Sequence, residues 1–268
     1  MKIKSVVKVM NFHALLRVDK SRKEAEKYRE MEKQLTDMIS VIMNNRNFLF
    51  DQKIVKPNPD MPRLEIYIGS DLGFCGSINS SISRIIKSSD CEKVLIGKKI
   101  IHKADEKDML TFKRGDFDIY AEELHKLLTD AVIHRKYSSI QLIYNHYYNI
   151  SHIETVKKQL YPIEMELKQN TGVLNDYVLE SDDGNLLENI IIQYLEYELR
   201  IAWINAYASE NVTRQSTTSE SLKKIDEIEN EEVIEQRKEK KMKSFKKVLD
   251  SYINEKGMEG NAWWLEQL

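Results

Sequence analysis

The sequence predicts an α/β protein in which a long antiparallel coiled coil of the N- and C-terminal helices accompanies a small Rossmann-like α/β domain. Three observations carry this. Residues 1–48 and 185–256 each lack both Pro and Gly. Three of the four prolines fall in Val55-Lys-Pro-Asn-Pro-Asp-Met-Pro62, which cannot be helical. The stretch after that break alternates strand and helix signals. The chain has 268 residues, 41 Lys+Arg against 43 Asp+Glu, and 41% hydrophobic residues, enough for a core with much polar surface left over. A formal charge of −2 argues against indiscriminate nucleic-acid binding. Two cysteines, Cys75 and Cys91, make no disulfide framework, so a cytosolic setting is expected. Apolar runs are broken by charge well before the ~20 residues that span a bilayer, and no signal-peptide block follows Met1.

The first element, 1–48, carries Ile3, Val7, Met10 and Ala14 at coiled-coil spacing. Val18, Ser21, Ala25 and Tyr28 continue the stripe with smaller residues, and Met31, Leu35, Met38 and Ile42 close it. At ~1.5 Å per residue it would reach about 70 Å and needs a partner of similar length. Between 63 and 180, strands are expected at Leu64–Gly69, Lys93–Ile101 and Ser139–Tyr144. Helices are expected through Ile78–Ile86 and from Asp118 to about His134. Strand, helix, strand, helix, strand implies parallel pairing with right-handed crossovers. The third element opens with a broad apolar face, Leu186, Leu187, Ile190, Ile191, Tyr194 and Leu195, suited to docking on the sheet. It turns polar after Ser209, then resumes a seam at Met242, Phe245, Leu249 and Tyr252, which is expected to match Met31–Ile42. Gly257 and Gly260 are expected to break it after Lys256, leaving a tail, 257–268, with Trp263 and Trp264. A bundle of separate helices is the competing reading, and the lack of turn signals stands against it.

Catalytic signals are sparse. There is no Gly-x-x-x-x-Gly-Lys-Ser/Thr, and the six histidines form no His-x-x-x-His pair. Gly73-Phe-Cys-Gly76 falls after a strand and before a helix, where a dinucleotide turn would lie. It lacks the three-glycine spacing, and no acidic residue ends the next strand, so a structural turn is favoured and no cofactor is expected. Cys75 has no identifiable base, which disfavours a nucleophile. The basic run Arg237–Lys247 reads either as a solvated face or as a surface for acidic partners; Glu235 and Glu239 within and beside it weaken a nucleic-acid reading.

These pieces together resemble the gamma subunit of F-type ATP synthases, the central rotor of the F1 motor. Ile68-Gly-Ser-Asp-Leu-Gly-Phe-Cys-Gly-Ser-Ile-Asn79 is similar to the family's Ser-Asp-Arg-Gly-Leu-Cys-Gly-Gly-Leu-Asn, carried here by Ser70, Asp71, Gly73, Cys75, Gly76 and Asn79. Gly97-Lys98-Lys99 resembles its Gly-Arg-Lys, and Ile140–Asn149 its strand ending Val-Tyr-Asn-Lys-Phe. Tyr207-Ala-Ser-Glu-Asn211 is similar to the helix that leads into Ala-Ser-Glu-His, with Glu210 and the following Arg214 kept. Ile3–Met10 resembles the family's first helix. Leu72 and Ser77 depart from the turn, Gln215–Glu220 replaces small residues and methionines, and the family's Ala-Thr-x-Asn-Ala is gone from 221–225. Lys-, Ile- and Asn-rich usage suits an AT-rich genome such as that of a wall-less bacterium.

The resemblance implies a non-catalytic rotor, coupling ATP hydrolysis or synthesis in a hexamer of alpha- and beta-type subunits to shaft rotation. Gln236, Arg237, Lys238, Lys240, Lys241 and Met242 would contact the ring. An epsilon-like foot subunit and a membrane rotor ring would bind the α/β domain, and Trp263 and Trp264 would meet the ring's collar or an accessory protein. The complex would lie peripherally on the cytoplasmic face of the cell membrane. Two alternatives remain open: a specialised F1-like motor that makes no ATP, for example one driving motility, and a coiled-coil adaptor without a motor.

Overall fold

The computed structural model describes residues 2–43, 57–101, 107–163 and 186–265. Its elements run α1 (Lys2–Met43), β1 (Arg63–Ile68), α2 (Ile78–Ser88), β2 (Glu92–Ile96), β3 (Asp108–Phe112), α3 (Ala121–Val132), β4 (Ser139–Asn149), β5 (His152–Tyr161) and α4 (Leu186–Leu265). The contacts divide the chain into two units, Val9–Thr218 and Met1–Lys8 with Ser219–Leu268.

The larger unit is organised by a five-stranded sheet of order β3-β2-β1-β4-β5. β1 pairs in parallel with both β2 and β4, and β2 with β3. As the central strand it is covered on both faces, which is why Leu64–Ile68 reads as an almost continuous apolar run. The sheet is mixed rather than parallel throughout, because β5 folds back antiparallel on β4. β3 and β5 are strands that the hydrophobic pattern missed. Both are edges, with only one neighbour and partial burial, so polar residues such as Lys157 and Lys158 interrupt their alternation. β2 stops at Ile96 rather than Ile101. Gly97 at φ +127° ends it, where a Cβ would lie 2.8 Å from the Gly69 carbonyl carbon.

Leu64, Ile66 and Ile68 point to one face, with Val94, Ile96 and Leu142, and meet Leu124 and Leu128 of α3 and Ile191, Leu195 and Leu199 of α4. Tyr67, Leu95 and Ile143 point to the other and meet Ile82 and Ile86 of α2. The expected docking of α4 onto the sheet is thus present; the Leu186 and Leu187 side chains lie outside the described residues. Within this unit α1 runs antiparallel to α4. Ile39 shares a cluster with Ile191–Leu199, Val18 and Ala25 share one with Ile204, Ala208 and Val212, and Asn11 Nδ2 donates to Gln215 O at 3.1 Å and Thr218 Oγ1 at 3.0 Å. Small residues on both helices, Ala14, Ser21, Ala25, Ala208 and Ser209, are buried. The hydroxyls return to the backbone: Ser21 Oγ donates to Arg17 O at 2.7 Å and Ser209 Oγ to Asn145 O of β4 at 3.0 Å.

In the smaller unit, Lys4 pairs with Asp226 at 2.6 Å and with Glu229. That register corrects the expected match of Met242, Phe245, Leu249 and Tyr252 with Met31–Ile42. With Lys4 opposite 226–229 in an antiparallel pair, Met31 and Leu35 cannot face 242–252, and all four of these α4 side chains are exposed. Met31 and Leu35 instead lie half-buried on the part of α1 that belongs with the sheet unit, while the Met38 and Ile42 side chains, like residues 44–48, fall outside the described residues. The expected break after Lys256 is absent: α4 continues through Gly257 and Gly260 to Leu265. A glycine inside a helix costs about 1 kcal/mol relative to Ala, which lowers stability without forcing a break.

One ion triad ties three elements of the larger unit together. Lys158 Nζ of β5 lies 2.6 Å from Glu32 Oε1 of α1 and 2.7 Å from Glu198 Oε2 of α4. Burial would lower the Lys158 pKa, but the two carboxylates outweigh it and hold it above the usual value. Glu198 is almost wholly buried, and burial pushes its carboxyl above the ordinary range against the pull of Lys158. Lys158→Ala should therefore leave an uncompensated buried carboxylate and cost about 3 kcal/mol, with part of the loss recovered in Lys158→Ala/Glu198→Gln. Urea unfolding of both variants checks this.

Candidate functional site

Two regions hold the residues singled out in the sequence, one in each unit. The first surrounds the C-terminal end of β1. The chain passes from β1 to β2 on one side and returns through α3 to β4 on the other. That reversal creates the crevice where open α/β sheets bind ligands. Here the crevice is filled by the chain itself.

Asp71 is the first anchor. Its Oδ1 accepts from the backbone N–H of Lys98 at 2.9 Å and of Arg114 at 3.0 Å, and its Oδ2 from Gly115 N–H at 2.9 Å. Burial alone would raise its pKa, but the three N–H donors and the Arg114 charge reverse that and hold the carboxyl below the usual range. Glu210 of α4 is the second anchor and has no solvent exposure. Its Oε1 accepts from Leu72 N–H at 3.2 Å and its Oε2 pairs with the Arg114 guanidinium, which is 4% exposed. Arg114 also lies 4.6 Å over the Tyr207 ring, and its carbonyl accepts from Trp203 Nε1 at 2.9 Å. Arg214, one helical turn beyond Glu210, donates to Gly73 O at 2.8 Å. Ser70 and Asn79 close the turn from within: Ser70 N–H donates to Asn79 Oδ1 at 3.1 Å, and Asn79 Nδ2 to Ser70 Oγ at 2.7 Å.

The turn therefore joins β1 to α4. Within the turn, the Leu72 N–H is engaged by Glu210 and the Ser70 N–H by Asn79. Cys75 is buried with its Sγ 3.3 Å from Leu72 O and 3.2 Å from Gly73 O. Burial, reinforced by the Glu210 charge, pushes its thiol up to about 11, the opposite of an activated nucleophile. The two glycines are not equivalent. Gly76 has φ +55° and its added Cβ would lie 3.2 Å from Thr213 Cγ2, whereas a Cβ on Gly73 would meet open space. Phe74, not Gly73, takes the second left-handed conformation, at φ 60°.

Sequence reasoning missed Arg114, Trp203 and Tyr207. Arg114 sits in a 3₁₀ turn, Arg114–Asp116, with no periodic pattern around it. Only its burial against a glutamate 96 positions along the chain shows its role.

The second region is α4 after Glu229. Every residue from 231 to 254 is exposed, including Gln236, Arg237, Lys238, Lys240, Lys241 and Met242. Met242 is 69% and Phe245 64% exposed, an unusual amount of apolar surface for a helix carrying so many lysines. Trp263 and Trp264 fall within the helical backbone of α4, but their side chains lie outside the described residues.

A family model described as ATP synthase matches residues 1–242. The chain belongs to the ATP synthase gamma family. It is 23% identical over 251 residues to the ATP synthase gamma chain of Clostridium perfringens (strain 13 / Type A), covering 85% of this chain and 84% of that one. The gamma chain of Mycoplasmoides gallisepticum is 23% identical over 243 residues, covering 84% of each. Among solved structures, it is similar to the central stalk/c-ring structure of the Tetrahymena thermophila mitochondrial ATP synthase, with TM-score 0.55, 20% identity and coverage of 81% of this chain and 99% of that one. The rotor of the Euglena gracilis mitochondrial ATP synthase gives TM-score 0.55 at 16% identity, covering 85% and 88%. This divergent gamma chain is a central-stalk rotor subunit of an F1-type rotary ATPase, non-catalytic, and part of a membrane-associated complex. Among its described residues no helix is long and apolar enough to cross a membrane.

Gly76→Val should lower the melting temperature sharply, since left-handed backbone costs an L-residue about 1–2 kcal/mol before any contact with Thr213 is counted, whereas Cys75→Ala should be mild; thermal unfolding by circular dichroism compares them. Asp71→Asn should destabilise the gamma chain at neutral pH. Because the folded pKa of Asp71 is depressed, its contribution is present above the unfolded value near 3.8 and is lost as pH falls through the folded one. The stability gap between wild type and variant, followed by urea titration, should narrow as the pH is taken below that value.

Proposed function

We propose that the exposed segment of α4, 231–254, is the surface on which the ring of alpha- and beta-type subunits acts, and that the Asp71–Arg114–Glu210 joint carries the resulting torque from α4 into the sheet. The observation that carries this reading is the exposure of Met242, Phe245, Leu249 and Tyr252 beside Arg237, Lys238, Lys240 and Lys241. A single helix with such a surface is marginal in water. It suits a socket that supplies an apolar sleeve and acidic side chains. Gln236 and Arg237 stand near where the family carries an Arg-Gln pair. Trp263 and Trp264 extend the same helix and are assigned to the ring's collar.

Coupling then needs no pocket on this chain. A helix with unequal faces favours different conformations of the ring subunits around it, so hydrolysis in the ring turns the helix, or turning the helix drives synthesis. The solved relatives are named as central stalk with c-ring and as an assembly of OSCP, F1 and c-ring. By that analogy the sheet unit binds an epsilon-like foot subunit and a membrane rotor ring, and the complex sits on the cytoplasmic face of the cell membrane. The domains serve distinct tasks on this reading: 1–48 and the first part of 185–256, to Glu229, form the coil, the rest of 185–256 faces the ring, 63–180 is the foot-binding domain and 257–268 the collar contact.

Affinity purification of the tagged chain should recover alpha- and beta-type subunits with one copy of the chain per hexamer; recovery of the chain alone would remove the reading. In the purified complex, replacing Arg237, Lys240 and Lys241 together with Gln should lower ATP-driven torque while leaving the helical content of the chain unchanged. Single replacements should do little, because exposed charge pairs are individually weak. Unchanged torque in the triple variant at low salt would assign coupling to shape alone.

A further inference from the structure

The exposed face of α2 forms one wall of an open recess of about 440 Å³, lined by Asn79, Ser80, Ser83, Arg84, Lys87 and Lys99. Ser80, Ser83, Arg84 and Lys87 follow i, i+3, i+4, i+7 spacing and so share one face of the helix, opposite the buried Ile82 and Ile86. Lys99 comes from the turn after β2. The lining contains three cations, two hydroxyls and no carboxylate. Neither the first turn of α2 nor any other part of Ile78–Ser88 contains an acidic residue, although acidic residues outnumber basic ones over the whole chain. Ser77, at the N-cap, makes no side-chain bond to the first turn, so the helix presents its positive end without a capping oxygen. Arg84, Lys87 and Lys99 have no ion-pair partner among the described residues, and like charges gathered at one recess repel unless an anion joins them.

We propose that this recess binds a phosphate group, supplied either by a phosphorylated small molecule or by a phospholipid headgroup. The recess is open to solvent, so gathered charge rather than enclosure would hold the anion. An Arg fork, two ammonium groups and the Ser80 hydroxyl provide donors from several directions, which suits the oxygens of a tetrahedral anion. Asn79 is a wall of the site and not a donor to the ligand, because both ends of its amide are engaged with Ser70. That link places the recess directly behind the turn that joins β1 to α4, so an anion here would also stiffen the start of α2. The proposal does not depend on which surface meets the ring.

The test uses the full chain. Inorganic phosphate is titrated calorimetrically at constant ionic strength, and retention on vesicles of phosphatidylcholine with and without phosphatidylglycerol is measured in parallel. Saturable phosphate binding, weakened about tenfold by Arg84→Ala and by Lys99→Ala but unchanged by Lys126→Ala, supports a soluble phosphate ester as the source. Retention only on phosphatidylglycerol vesicles, with the same dependence on Arg84 and Lys99, supports the headgroup. Circular dichroism confirms that each variant remains folded, and Arg84→Lys, which keeps the charge, should restore part of the binding. Absence of both forms of binding overturns the proposal, as does binding that the variants leave intact. Equal competition by a glutamate polymer also overturns it, since the recess would then be a general carboxylate-binding face.

Discussion

Glu210 has no access to solvent and is paired with an arginine that has almost none. A buried ion pair is tolerable only when its geometry is good and its remaining hydrogen-bonding capacity is used, because each ion has given up its hydration. The pair meets that condition only in part, since Arg114 Nε and Nη1 and Glu210 Oε2 make no hydrogen bond among the described residues, so the groups around it share the work of holding it. Leu72 N–H must face α4, which sets the path of the turn after β1. The Arg114 segment must lie beside that turn, and Asp71 holds it there by accepting from Arg114 N–H and Gly115 N–H. Trp203 and Tyr207, two turns and one turn before Glu210, close over the arginine. The crevice at the sheet's switch point, elsewhere in α/β proteins a place for ligands, becomes the attachment of a helix.

For a rotor this is a mechanically sensible use of the fold. Torque applied along a helix is transmitted only if the helix cannot turn about its own axis where it meets the body that it drives. Apolar packing against the sheet, through Ile191, Leu195 and Leu199, resists separation but is non-directional. The bonds from Glu210 and Arg214 to the turn, from Ser209 to β4 and from Lys158 to Glu198 are directional, and they lie along one stretch of α4 from Glu198 to Arg214. Burial of small side chains where α1 meets α4 adds close backbone packing to the same stretch. Past Glu229 the design changes: directional bonds within the chain give way to exposed apolar and basic side chains, as expected where the opposing surface belongs to another molecule.

The near-neutral total charge conceals strong segregation. The exposed face of α2 is cationic without an acid, and α4 between Arg237 and Lys247 is dominated by lysine. The acids that balance them are spent partly in the interior, as Glu65, Glu198 and Glu210. Glu65 is the most fully provided for of the three: it accepts from Tyr67 Oη at 2.5 Å, from Ser89 Oγ and from Lys157 Nζ at 3.0 Å. Buried carboxylates therefore brace the larger unit, while the basic run of α4 stays exposed.

The two terminal helices, the proline break, the three inner strands and the family turn were legible in the sequence because each depends on local information. Periodicity reports which face is buried, and proline excludes helix whatever surrounds it. The edge strands β3 and β5 were not legible, since half of an edge strand faces water and its pattern is diluted by charge. The sequence also could not say which seam meets which. Met242–Tyr252 and Met31–Ile42 have equivalent spacing, and the register was decided instead by contacts such as Asn11 to Thr218 and Lys4 to Asp226. Gly73 and Gly76 look alike in the motif, yet only Gly76 needs to be glycine, because only there does the backbone take a positive φ. Arg114 carried no signal at all. Its function comes from a carboxylate brought to it by the fold, and the identity of a partner distant in sequence is a property of the tertiary structure, not of any local run of residues.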